Sequence, residues 1–285
     1  MEITPLAAES MGVRSMCTRV QTDDVCIFID PAVSLAPLRY GLPPNRLEED
    51  TKARLWENVK ETIVDAGILI ITHFHYDHVD PGEPEIYRGK KVFLKHPVRM
   101  INPSQKKRAA SFIKSIKRLA SEIEYADNRL FSYGDTDIRF SRPVPHGSDE
   151  TRGYVVEVCV DDGECFLHTS DVQGPLLDEQ VSFILDQRPG VLLIDGPSTY
   201  LNNPRGEVEL RRANEFLLRI LREGTVSRLM LDHHLTRDID FRERIRPVLD
   251  EGENLGITVQ TSAEFLDAKP NLLEANRKEF PSRSG

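Results

Sequence analysis

The stretch Ile68-Leu69-Ile70-Ile71-Thr72-His73-Phe74-His75-Tyr76-Asp77-His78 constrains the fold more than any other part of the chain. A short Ile-rich run behind Gly67 reads as a buried strand, and the histidines begin where that strand must leave its sheet. Four residues able to ligate a metal, His73, His75, Asp77 and His78, fall within six positions. While the chain stays extended, His73 and His75 project to one side, because strand side chains alternate with a period of two. They can therefore share one cation. Asp77 and His78 follow once the chain has begun to turn, so they face a neighbouring point and suit a second cation. A helical reading would pair His73 with Asp77 and His75 with His78, but the β-branched run before them and Pro81-Gly82 after them leave little helix. A polar turn is the plain alternative, and the presence or absence of further ligands downstream decides between the two.

With 285 residues, 39% of them hydrophobic, the chain can bury a full core, and no linker divides it, so 1–285 reads as a single domain. A net charge of −9 and a pI near 5.5 argue against a general nucleic-acid or membrane-surface binder, which needs excess basic charge. Met1-Glu2-Ile3-Thr4-Pro5 shows no basic n-region or apolar h-region, and no run is long enough to span a bilayer. The expectation is a cytoplasmic protein with no membrane partner and an open oligomeric state. Cys17, Cys26, Cys159 and Cys165 lack Cys-x-x-Cys spacing and read as reduced, buried thiols.

Along the chain, short strands are expected between Ile3 and Ile29, and Asp30-Pro31 closes the last of them. A carboxylate at a strand end is a turn former or a group that orients a ligand. Leu55, Trp56, Val59 and Ile63 recur at helical spacing and read as core, and Lys91–Leu94 reads as the next strand. Between Asn102 and Glu124 lies the most basic segment, with Phe112, Ile113, Ile116, Leu119 and Ile123 as its apolar face. Lys106, Lys107, Arg108, Lys114, Lys117 and Arg118 on its other surface read first as a solvated face, and second as a guide for a phosphate-bearing substrate. Strands follow at 137–140, 154–158 and 165–167. The last third alternates strand 191–194, helix 207–221, strand 228–231, helix 241–249 and strand 257–260, a mixed sheet packed on helices. A short amphipathic piece follows Pro270, and Ser282-Arg283-Ser284-Gly285 is expected to fray.

Further ligand types occur at strand ends: His146 after Pro143-Val144-Pro145, Asp171 in His168-Thr169-Ser170-Asp171, and His233-His234 after Leu229-Met230-Leu231. Taken in order with Asp30 and His73-x-His75-x-Asp77-His78, these motifs resemble the metallo-β-lactamase superfamily. The opening Ile-Thr-Pro-Leu, Asp195-Gly196-Pro197 and Asp232-His233-His234-Leu235 are similar to an uncharacterised archaeal family of predicted hydrolases within it. The resemblance implies an α/β fold, an αββα four-layer sandwich with the site at one edge between two sheets. It implies His73, His75 and His146 on a first metal, Asp77, His78 and the last His on a second, and Asp171 between them. Asp30 would fix the tautomer of a ligand histidine from behind. Adjacent residues in an extended segment point to opposite sides, so one of His233 and His234 is expected to ligate. His233 is favoured, with His234 left to donate a proton or contact substrate. His168 is expected behind the site, and His96 to be ordinary.

Two cations roughly 3.5–4 Å apart would bridge a water and lower its pKa towards neutrality, so hydrolysis is the expected chemistry, with Asp77 and His234 as catalytic residues. Zinc is the first expectation, and manganese and iron also accept His and Asp ligands. By resemblance, diiron redox members carry Glu where this chain has His75. The residual positive charge of such a site favours an anionic substrate, small or nucleic-acid-like, with a phosphodiester first among them. By resemblance, family nucleases insert a large cap after the bridging Asp, which the span from Asp171 to His233 does not accommodate. Ser198, Thr199 and Tyr200 present hydroxyls to a phosphate, or form only a turn. Two alternatives stay open: a lactone or thioester hydrolase with Phe74 and Tyr76 lining an apolar pocket, and a non-catalytic metal or metabolite sensor.

Overall fold

Runs of four largely apolar residues form the middle of two sheets. In the computed structural model, which describes residues 1–201 and 203–280, the first sheet pairs β1 (Glu2–Pro5), β2 (Thr18–Gln21), β3 (Cys26–Ile29), β4 (Ile68–Ile71), β5 (Lys91–Leu94) and β6 (Glu122–Tyr125) in that order. The tail Ser282–Gly285 lies outside the described residues. β1 to β3 are antiparallel, and β3 to β6 run parallel. In the second half come β7 (Leu130–Tyr133), β8 (Thr136–Phe140), a two-residue pair β9 (Val144–Pro145) with β10 (Tyr154–Val155), then β11 (Val158–Asp161), β12 (Cys165–His168), β13 (Val191–Ile194), β14 (Arg228–Leu231) and β15 (Thr258–Gln260). The second sheet has the order β15-β14-β13-β12-β11-β8-β7, parallel from β12 to β15 and antiparallel beyond.

Alternation along these strands makes four layers. Ile27, Ile29, Ile68, Ile70 and Phe93 of the first sheet face Ile138, Phe140, Val158, Val160, Phe166, Leu193 and Met230 of the second. The intervening residues, Phe28, Leu69 and Ile71, turn outward against Leu55, Trp56 and Val59 of α1 (Arg46–Thr62) and Phe112 and Ile116 of α2 (Pro103–Ile116). On the far side, Leu192, Ile194, Leu229 and Leu231 meet α3 (Asp178–Gln187) and α4 (Pro204–Glu223). Burial on both faces is why the parallel strands read as continuous apolar runs. Each such side chain, moved wholly out of water, contributes about 1.5–3 kcal/mol. The fold is the αββα sandwich.

Three expectations need correction. The basic segment is not one helix: α2 ends at Ile116, and Ile123 lies in the strand β6. Strand 154–158 is split, because Val156 leaves the ladder to donate its N–H to the Thr72 carbonyl at 3.2 Å. Helix 241–249 is two helices, α5 (Phe241–Arg244) and α6 (Arg246–Leu255), since Pro247 can occupy only a first turn. α7 (Ser262–Phe265) closes the ordered elements, and β7 and α3 had no counterpart in the sequence reading. The cysteines are free thiols, with Cys159 and Cys165 Sγ atoms 2.7 Å apart across β11 and β12. No helix among the described residues is long and apolar enough to cross a membrane.

Candidate metal centre

The carboxyl ends of β3, β4, β12, β13 and β14 deliver Asp30, Thr72 to His78, Asp171, Asp195 and Asp232 to His234 to one edge of the sandwich. Open sheets place their sites at such an edge. Asp30 follows β3 in a left-handed conformation (φ 51°) and is fully buried. Its Oδ1 accepts the Thr72 N–H at 2.8 Å, and its Oδ2 accepts the Thr72 hydroxyl at 2.6 Å and His78 Nδ1–H at 2.8 Å. Asp30 thus pins both ends of the histidine-rich turn and leaves His78 Nε2 bare. Within the turn, His73 Nε2 and His75 Nδ1 converge at 3.0 Å.

The remaining ligand types close around Asp171, whose two oxygens face different neighbours. Oδ1 lies 3.1 Å from His78 Nε2 and 3.8 Å from His233 Nε2. Oδ2 lies 3.1 Å from His146 Nε2, 3.7 Å from His73 Nε2 and 3.9 Å from His234 Nε2. Two of the groups close enough to hold a metal are His73, His75, His146 and Asp171, and beside it Asp77, His78 and His233, with Asp77 Oδ2 3.3 Å from His233 Nε2; Asp171, His233 and His234 form another. His233 and His234 do not diverge as expected. The chain has left the extended conformation by His234 (φ −78°, ψ −33°), so both rings reach Asp171.

Several supporting residues were given no role at the site by the sequence reading. Asp195, at the end of β13, accepts His234 Nδ1–H at 2.6 Å on the same oxygen that takes the Gln173 N–H at 2.7 Å. Arg237 is buried with its Nη2 2.8 Å from His233 Nε2 and its Nε donating to Glu9 Oε2 at 2.9 Å. Asp232 binds the Ser10 N–H and hydroxyl and the Ser262 N–H, tying the end of β14 to distant segments. Asp195 and Asp232 carry the same mark as Asp30, a carboxylate just past an apolar strand. Arg237 and Glu9 carry no local mark. His168 donates Nε2–H to the Met16 carbonyl and accepts the Ser170 N–H, so it braces the turn that presents Asp171 without touching the cluster. His96 accepts backbone N–H groups at the surface, as expected.

Burial sets the protonation of the cluster. It pushes His73 and His234 well below the ordinary histidine value, His75 to about 3, and His233 downward, in each case assisted by a neighbouring positive group. Burial opposes charge on Asp77 and Asp171 too, but the surrounding histidines outweigh it and hold both carboxylates ionised. On His78, Asp171 and Asp30 outweigh burial and raise the value. His73, His75, His233 and His234 are thus held neutral and Asp77 and Asp171 ionised, the forms that ligate a metal, whereas His78 favours its cation until a metal takes the place of the Nε2 proton. His78 Nε2 and Asp171 Oδ1 are both buried, 3.1 Å apart and without a hydrogen bond. Both atoms are of types that ligate a divalent cation, which would satisfy them, so the residues present fit a metal.

A cavity of about 440 Å³ opens above the cluster, lined by Tyr76, Arg108, Arg152, Gln173, Tyr200 and Arg237 among others. Of Ser198, Thr199 and Tyr200, only Tyr200 is in this lining; Thr199 donates to the Leu235 carbonyl and Ser198 Oγ is buried without a partner. Phe74 is buried in the helix-facing core, while Tyr76 lines the cavity. Lys106, Lys107, Lys114, Lys117 and Arg118 lie exposed outside the lining, and of the basic segment only Arg108 reaches it.

No family model matches the chain. A UPF0282 protein of Metallosphaera sedula is 46% identical over 286 residues, covering 98% of this chain and 92% of that one. One from Korarchaeum cryptofilum is 46% identical over 283 residues, covering 98% and 94%. The chain belongs to the UPF0282 family. Among solved structures, this UPF0282 chain is similar to an isothiocyanate hydrolase from Delia radicum gut bacteria (TM-score 0.55, 17% identity, 87% and 94% of the two chains). It is also similar to yeast PDE1 (TM-score 0.54, 14% identity, 90% and 96%). At these identities the likeness is one of fold, the metallo-β-lactamase fold.

Proposed function

We propose that this UPF0282 protein is a metal-dependent hydrolase of small anionic phosphodiesters. The observation that carries the reading is the Asp171 carboxylate, with one oxygen toward His73 and His146 and the other toward His78 and His233. Divalent cations held by these two sets, zinc first and manganese or iron next, would activate water near neutral pH and polarise the bond under attack. Asp30 keeps His78 in the tautomer whose Nε2 faces the cluster, and Asp77 completes the second set with His233. Asp195 does the same for His234, whose Nε2 is placed to take the proton that the attacking water gives up and return it to the leaving oxygen.

The cavity favours an anion over a neutral ester. Guanidinium groups of Arg108 and Arg152 line it without a carboxylate partner among the described residues, and Phe74, one of the two rings expected to line an apolar lactone pocket, is buried elsewhere. Yeast PDE1, which shares the fold, is a phosphodiesterase, whereas another neighbour is an isothiocyanate hydrolase, so the lining and not the fold carries the substrate argument. The test is a panel of bis(p-nitrophenyl) phosphate, a lactone and a thioester, offered to protein reconstituted with zinc or manganese, with His75→Ala as control. Metal-dependent phosphodiester turnover that is lost in the variant is expected. Turnover undiminished by His75→Ala would overturn the mechanism. Loaded protein that hydrolyses none of the three would be a sensor instead.

A further inference from the structure

Four arginines line the cavity over the cluster: Arg14, Arg108, Arg152 and Arg237. Two are neutralised within the protein. Arg14 grips Glu274 with two hydrogen bonds of 2.7 and 2.6 Å, and Arg237 donates to Glu9 at 2.9 Å. Arg108 and Arg152 have no carboxylate partner among the described residues, although the chain carries a net charge of −9 and most of its other exposed arginines are paired.

The placement of this pair is built. Gln105 and Arg108 stand three residues apart on α2, on one face of the helix. Gln105 is fully buried; its Nε2 donates to the Arg152 carbonyl at 2.8 Å and lies 3.4 Å from His75 Nε2. Asn102, which caps α2, donates to the neighbouring Thr151 carbonyl at 3.1 Å. Gly153 allows this approach: it has φ +93°, and a Cβ there would lie 2.8 Å from Gln105 Nε2. The Arg108 guanidinium rests over the Tyr76 ring, 4.6 Å from its centre, between His75 and Asp77 in the chain. One helix face thus carries Arg108 and, through Gln105, fixes the Arg152 backbone beside the segment that carries the ligand histidines.

We infer that the substrate carries a second anionic group, a terminal phosphate remote from the bond that is cut, held by Arg108 and Arg152. The inference rests on the phosphodiesterase reading and names its substrate class: a small diester with a phosphomonoester at its far end. Both guanidiniums line the same cavity, and a planar guanidinium matches phosphate oxygens in geometry and charge. A volume of about 440 Å³ accepts one such molecule and falls within the range of small-molecule sites.

The test compares two chromogenic substrates, thymidine 5′-(p-nitrophenyl phosphate) with and without a 3′-phosphate, on metal-reconstituted protein. The 3′-phosphate should lower KM by about tenfold or more, and Arg108→Gln with Arg152→Gln should erase most of that preference. Arg108→Lys with Arg152→Lys, which keeps charge and loses the planar fork, should restore part of it. Equal KM values for the two substrates, or a preference unchanged in the Gln double variant, would overturn the inference. If neither substrate is hydrolysed, calorimetric binding of thymidine 3′,5′-bisphosphate separates the two readings. Binding weakened about tenfold in the Gln variant would keep the anion site and sink the reaction class. Binding equal in both proteins would sink the anion site as well.

Discussion

His73, His75 and His146 gather at Asp171 Oδ2 with no guanidinium bonded to any of them, whereas His233, in the neighbouring set, already accepts a hydrogen bond from Arg237 at 2.8 Å. Arg237 Nη2 also lies 3.8 Å from Asp77 Oδ2. A cation entering the first set would displace only the contacts of neutral groups, those between His73 and His75 and between His75 and Gln105. One entering the second must displace a guanidinium from His233 and settle beside its charge. On the proposed reading, Asp171 would serve two sites of unequal strength, and the weaker would be the one beside Arg237.

The comparison can be broken at its outer supports. Asp195 touches His234, which this account leaves free to move a proton. Asp195→Asn should therefore cut kcat by about 10²–10⁴ while metal content stays constant. Loss of metal in that variant, read by elemental analysis, would make His234 a ligand and reverse the assignment. Among the ligands Asp30 bonds His78 directly and reaches His73 only through the Thr72 hydroxyl, so Asp30→Ala should weaken the second cation by about 10–100-fold and the first less, measured by competition with a chromogenic chelator. Equal weakening of both would show that the two sets are not separable.

A separate effect, on stability and not on activity or metal, lies behind the cavity wall. Burial disfavours charge on Glu274, but its hydrogen bonds with Arg14 and the attraction of Arg14, Arg237 and Arg39 outweigh it and hold the carboxyl at about 2, below its ordinary 4.5. A depressed carboxyl contributes stability that is complete above the ordinary value and is lost as pH falls through the folded one. Between about pH 4.5 and 2 the protein should lose on the order of 3 kcal/mol from this group. Urea unfolding of Glu274→Gln should lack that part of the slope, and a slope identical to the native chain's would remove the clamp from the account.

Much of this was legible in the residues themselves. Ile68–Ile71, Val191–Ile194 and Arg228–Leu231 are parallel strands covered on both faces, and their continuous apolar runs have the bounds that the sequence reading expected. The histidine-rich turn announces itself because its ligand types are adjacent in the chain. α3 was not legible: its buried face has only Val181 and Ile184 with the polar Gln180, which caps a loop by bonding the Pro145 and Gly147 carbonyls. Nor was the Arg237–Glu9 pair, whose partners stand 228 residues apart. Long-range polar contacts leave no periodic trace, whereas the strand-end position of Asp195 was a signal available in the chain.

The most direct test of the central claim is the metal content of the chain titrated with zinc and freed of unbound ions, measured by elemental analysis. Two cations per chain, the first taken up more tightly, and no more than one in Asp171→Ala, is the predicted result. Saturation of the native chain at one cation or fewer would contradict the account.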